Sequence, residues 1–222
     1  MATDTVVPKL LRDRVASDIR PVSPLWPPWR RALVFLALGL LLLASMPVWR
    51  GVRKDAGELG GVLLWGLSLL QAFYGVLLVA AGLRFAVPGR GPRGRWGYAL
   101  VAAGVLLSLG VTSLSWAASH SLVPPGHEGH YWRVCFKWTI WLGLPALVLA
   151  WLLAVRAFPL RPRLVGALSG LGAGLIADAG WRTFCEVSDP AHVLSAHAGG
   201  VAALTVLGVV IAHVWAAATG EG

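Results

Sequence analysis

Residues 32–49 read ALVFLALGLLLLASMPVW, from Ala32 to Trp49 without a single charge. A helix of roughly 18–25 apolar residues, rising 1.5 Å per residue, crosses a hydrocarbon core of ~30 Å. Outward from this block, five more of the same kind appear, at about Gly60 to Leu83, Gly97 to Ser119, Trp138 to Phe158, Leu164 to Trp181 and Leu194 to Ala217. The fifth is the weakest, because Asp178 and Arg182 interrupt one end. The leader before the first block is long and proline-rich and lacks a small-x-small cleavage site, so the block reads as a span rather than a cleaved signal.

Composition agrees. Of 222 residues, 57% are hydrophobic and 13% charged, with a mean hydropathy of +0.70. A soluble domain is about 45–50% apolar and about 25% charged, so most soluble enzymes and disordered proteins are excluded. The expected fold is an all-α integral membrane protein: six transmembrane helices over residues 32–218, a tail over 1–31, and a short end over 219–222.

The net charge of +9 is a map of topology. The tail and the second and fourth loops carry thirteen of the 19 Lys and Arg, among them Arg30, Arg31, Arg84, Arg95, Arg156 and Arg163. The opposite face carries six: Arg50, Arg53, Lys54, Arg133, Lys137 and Arg182. Under the positive-inside rule both termini are cytoplasmic, and no direct nucleic-acid partner is needed to explain the basicity. Trp26, Trp29, Trp49, Trp96, Trp116, Trp132, Trp138, Trp181 and Trp215 fall near span ends, as an aromatic belt would. Trp65, Trp141 and Trp151 lie deeper and read as packing residues. Gly166, Gly170 and Gly174 form overlapping GxxxG steps, which serve either packing within the bundle or a homodimer seam.

With this topology both cysteines, Cys135 and Cys185, fall on the outer face. His120, His127, His130, His192 and His197 share it, and His213 lies at the inner end. Two readings stay open: a structural disulfide or buried thiol pair, or a redox- or metal-responsive site, since thiolate and imidazole suit zinc- or copper-like ions. No CxxC or HExxH is present, so the spacing leaves a metal undecided, and no cofactor is expected. Asp178 and Arg182, four apart, lie on one helical face. They read as an internal ion pair, with signal or ion binding as the alternative.

The tail holds a short amphipathic stripe. Val7, Leu11, Val15 and Ile19 step by four with Leu10 beside them. Pro21 ends the helix and Pro24, Pro27 and Pro28 stiffen the connector. Such a helix suits the groove of a cytoplasmic partner or the lipid surface.

The residues Asp18-Ile19-Arg20-Pro21-Val22-Ser23-Pro24-Leu25, the Arg53-x-Asp55 pair, and the stretch from Pro159 to His197 resemble the NrsF family of polytopic bacterial anti-sigma factors. That stretch has a proline-marked turn, a Gly/Ala-rich helix and F-C-E-V-S-D-P-A-H around Cys185. The tail helix is a few residues longer than the family pattern, and His213-Val214-Trp215 lacks the arginine usual before the tryptophan. The resemblance implies a bacterial inner-membrane protein, not an enzyme. Its tail helix, with Asp18, Pro21 and Val22, would hold an extracytoplasmic-function sigma factor and release it on a signal sensed near Cys135 and Cys185. A small transporter would need polar mid-span residues (Ser68, Gln71, Tyr74, Ser108 and Thr112 are the candidates). A membrane redox or haem protein would need a CxxC or a histidine pair on facing helices.

Overall fold

The least hydrophobic of the six long helices is the most buried. Pro162–Arg182 has a mean hydropathy of 1.3 and 94% of its apolar window is buried; the other five have 1.8–2.3 and are 22–39% buried. Lipid selects for large apolar side chains, whereas a helix that never meets lipid is free to carry glycine, alanine and charge.

The computed structural model describes residues 8–18, 24–89, 94–118 and 122–220, which are helical with no strand among them. In chain order the helices are α1 (Lys9–Asp18), α2 (Pro28–Trp49), α3 (Ala56–Phe85), α4 (Gly94–Ala118), α5 (Glu128–Val155), α6 (Pro162–Arg182) and α7 (Pro190–Thr219). Helices α2 to α7 are each long and apolar enough to cross a membrane. Helix α6 is the axis, packed most extensively against α7, then α3 and α5.

Small residues make that axis possible. A Cβ at Gly166 would strike the Gly208 carbonyl, and one at Gly170 the Leu204 carbonyl, so α6 and α7 touch backbone to backbone. On another face Gly172 meets Gly75 of α3, and Gly180 meets Leu42 of α2. The glycine steps of α6 therefore serve packing inside the chain, and that face is not available as a homodimer seam.

The two ends of the bundle differ. At one, Arg31, only 2% exposed, donates to the Leu153 carbonyl at 2.6 Å and the Leu83 carbonyl at 3.4 Å. These are last-turn carbonyls of α5 and α3, where helix dipoles favour a cation. Arg163 and His213 meet near this end too, at 3.1 Å. The other end gathers the Arg50–Asp55 loop, Cys135, and the 183–189 loop.

Three expectations change. Helix α5 starts at Glu128, ten residues before the apolar block, where Trp132 and Phe136 stack at 5.2 Å one turn apart. Trp181 is 1% exposed, stacked on Trp138 and tilted against Phe184, so it is core and not belt. Of the deeper tryptophans only Trp151 is buried, while Trp65 and Trp141 are exposed at the bundle surface. Lipid and protein interior are equally apolar, so depth along the helix says nothing about which way a ring faces.

Candidate metal and thiol centre

The site begins in the last turn of α6. Asp178 and Arg182 stand four apart, and Arg182 Nε donates to Asp178 Oδ2 at 2.8 Å. The same oxygen accepts from Gln71 Nε2 of α3 at 2.6 Å, and Arg182 also donates to Thr112 Oγ1 of α4 at 3.0 Å. All four residues are buried. A buried carboxylate is tolerable only when paired and hydrogen-bonded; Arg182 of α6 and Gln71 of α3 supply that here, and Thr112 of α4 takes a further Arg182 donor.

Beyond Arg182 the chain enters the loop that carries Cys185. Arg53 fastens it: the guanidinium is paired with Asp55 and donates to the Glu186 carbonyl at 3.1 Å and to Ser188 Oγ at 3.0 Å. Arg53 N also donates to the Thr183 carbonyl at 2.9 Å. The short R-x-D pair thus has a structural use: it ties the loop between α2 and α3 to the loop of Cys185. Asp189 then caps α7 by accepting from His192 N at 3.0 Å, with Pro190 in the first turn.

The first turns of α7 decide the rest. In a regular α-helix residues five apart diverge by roughly 140°. Here Val193–Ala198 forms a π-helical turn, whose i→i+5 bonding places His192 and His197 on one face. Their rings stand 5.4 Å apart, edge to face. Residue spacing on an ordinary helix gives no hint of that pairing.

Four side chains converge. Cys135 Sγ of α5 lies 3.5 Å from Cys185 Sγ, and Cys185 Sγ lies 3.7 Å from His192 Nε2. Both cysteines are free thiols. His197 donates from Nδ1 to Asp178 Oδ1 at 2.7 Å, leaving its Nε2 buried without a hydrogen-bond partner. One ligand atom from each of the four lies within 4.8 Å of all the others, and all four residues are buried. The Cys185 thiol is held well below its ordinary pKa, by the Cys135 sulfur first and by His197 and His192 next, against the opposing push of burial. Such a group of thiols and imidazoles can exchange two electrons as a dithiol or hold a soft metal ion.

The other candidates lie apart. His127 is exposed at the start of α5, its Nδ1 3.2 Å from the Pro125 carbonyl. His130 is also exposed and lines a cavity of about 350 Å³ that reaches Cys135 and Cys185. His120 lies outside the described residues. On α1, Leu10, Leu11 and Val15 are 85%, 54% and 56% exposed, and Asp18 closes the helix. Val7, Ile19, Pro21 and Val22 lie outside the described residues. Sequence reasoning passed over Gln71 and Thr112 as parts of this centre; their signal was only that they are polar within apolar spans.

A family model described as "NrsF: Negative regulator of sigma F" matches residues 15–217. The chain is similar to the anti-sigma-F factor NrsF of Caulobacter vibrioides (strain NA1000 / CB15N), 28% identical over 214 residues, 94% of this chain and 95% of that relative. No solved structure matches. The matched region begins inside α1 and contains Arg53, Cys135, Asp178, Cys185, His192 and His197.

Proposed function

The chain belongs to the NrsF family of negative regulators of sigma F, and on that premise we propose that it is a membrane anti-sigma factor for an extracytoplasmic-function sigma factor. Residues 1–31 form the cytoplasmic capture segment, and the domain of residues 32–218 holds it at the bacterial inner membrane. The observation that carries this reading is the family match over nearly the whole chain. The exposed apolar side chains of α1 support it: Leu10, Leu11 and Val15 are exposed among the described residues, as a helix meant for a partner's groove requires. The lopsided placement of Lys and Arg supports a cytoplasmic tail, with both cysteines on the far side.

In this reading the thiol centre is the sensor and α5 its link to the tail. Helix α5 carries Cys135 near its start and Leu153 in its last turn, about 27 Å away at 1.5 Å per residue. The Leu153 carbonyl accepts from Arg31, and a cavity of about 270 Å³ lined by Pro24, Leu25, Trp26, Arg31, Leu153 and Arg156 adjoins the connector. A change at the cysteines that tilts α5 reaches the root of the capture segment. Moving a partner from 1% to 99% free takes about 5.5 kcal/mol of differential stabilisation, within reach of a covalent or metal-linked change. A transporter is less well supported, because Gln71 and Thr112 are bonded to Asp178 and Arg182.

Deleting residues 2–20 tests the reading. The truncated protein is expected to remain in the membrane and to lose retention of the sigma factor on co-purification. Full retention by the truncated protein would overturn it.

A further inference from the structure

We infer that Cys135, Cys185, His192 and His197 form a tetrahedral site for a divalent d10 cation, zinc foremost. A tetrahedral zinc with bonds of about 2.3 Å to sulfur and about 2.0–2.1 Å to nitrogen sets its ligands about 3.8 Å apart for two sulfurs and about 3.5 Å apart for sulfur and nitrogen. The observed separations are 3.5 Å between the sulfurs and 3.7 Å from Cys185 Sγ to His192 Nε2. These two separations are at ligand spacing to within a few tenths of an ångström, and all four donor atoms lie within 4.8 Å of one another.

Two independent observations point to an occupant. His197 Nε2 is buried without a partner, a condition native interiors rarely leave standing. Its Nδ1 is held by Asp178 at 2.7 Å, the carboxylate–histidine arrangement that fixes the tautomer and offers Nε2 to a metal. Charge then selects the ion. Asp178 is balanced by Arg182, so a cation bound by two thiolates leaves the buried centre neutral only if it is divalent; a monovalent ion would leave an uncompensated negative charge. Binding takes both sulfurs as thiolates, so the ion competes with protons for them. The centre is reachable from both sides, through the cavity at Cys135 and Cys185 and through another of about 530 Å³ lined partly by His192.

Metal binding itself stands on geometry alone; its use as a signal rests on the anti-sigma reading. The test is metal analysis of the full-length protein purified in detergent under reductant, with Co²⁺ substitution as the optical probe. The wild type is expected to hold about one equivalent of Zn²⁺ and, with Co²⁺, to show the sulfur-to-cobalt charge-transfer and intense visible bands of a tetrahedral site. Cys135→Ser, Cys185→Ser and His197→Ala are expected to fall below about a tenth of an equivalent, while His127→Ala and His130→Ala retain the full amount. Folded wild type with both thiols reduced that takes up neither ion overturns the site, as does full retention by the doubly substituted cysteine variant. The wild-type cobalt spectrum decides the matter even if the variants do not fold. Sigma-factor retention on the same preparations separates the two ideas: metal without capture overturns the anti-sigma reading alone, and capture without metal overturns the site alone.

Discussion

His197 and Asp178, nineteen residues apart, meet through Nδ1 and Oδ1 at 2.7 Å with neither group exposed to solvent. That contact joins the thiol centre to the buried charge cluster of α6, α3 and α4, so the two behave as one unit. Disturbing the charge cluster therefore disturbs the ligands.

Asp178→Asn is the sharpest probe of that union. It leaves Arg182 buried without a counter-charge, a defect of about 3–5 kcal/mol. We expect a clear fall in thermal stability in detergent. The double variant Asp178→Asn/Arg182→Gln, which removes the charge as well, should recover part of the loss. A double variant no more stable than the single one would show that the ion pair is not what holds this end of α6.

Glycine substitutions should divide by position. Gly170→Ala puts a methyl into the Leu204 carbonyl of α7, and overpacking of this kind costs about 1–3 kcal/mol. Gly110→Ala meets nothing within 4 Å on α4 and should be neutral or stabilising by about 0.5–1 kcal/mol, since alanine suits a helix interior better than glycine. Melting temperatures in one detergent check both. Equal effects would mean that α6 and α7 are not in backbone contact.

These two predictions mark where the sequence was legible. Six blocks such as Ala32–Trp49 announce six helices because hydropathy and length alone decide whether a helix can span. Their arrangement was hidden because lipid and protein interior are alike to an apolar side chain: Trp141 faces outward and Trp181 inward, with nothing local to tell them apart. Asp178 and Arg182 made α6 look doubtful as a span, yet its glycines and charges are what a helix surrounded by five others can carry. The cysteines and histidines were visible as a group on one face. Which four of them meet depended on the π turn at Val193–Ala198 and on the Arg53 clasp, and neither has a local signature strong enough to read.

The Arg53 clasp gives a third prediction. Arg53→Gln removes charged donors to the Glu186 carbonyl and Ser188 Oγ, interactions worth about 1.5–3 kcal/mol each. The loop bearing Cys185 should then open more often, and maleimide labelling of Cys185 should quicken by roughly tenfold or more. Labelling of Cys135, which α5 carries and not the loop, should change less. Unchanged labelling of Cys185 would mean that the loop is held by its other contacts.

Oxidation provides the last. With the sulfurs 3.5 Å apart, a peroxide can take two electrons from the pair, forming one sulfur–sulfur bond while its own oxygen–oxygen bond breaks to give water. A disulfide cannot ligate as two thiolates do, so a zinc-loaded centre should expel its ion as the bond forms, about one equivalent per chain by a chromogenic chelator. In the proposed sensor the same step should free the sigma factor. Cys135→Ser and Cys185→Ser, which cannot form the bond, should not release the sigma factor on peroxide treatment. If both variants still free the sigma factor as the wild type does, the thiols are structural and the signal enters elsewhere. If zinc leaves but the sigma factor stays, the centre is a metal site without leverage on the tail, and the link through α5 to Arg31 fails.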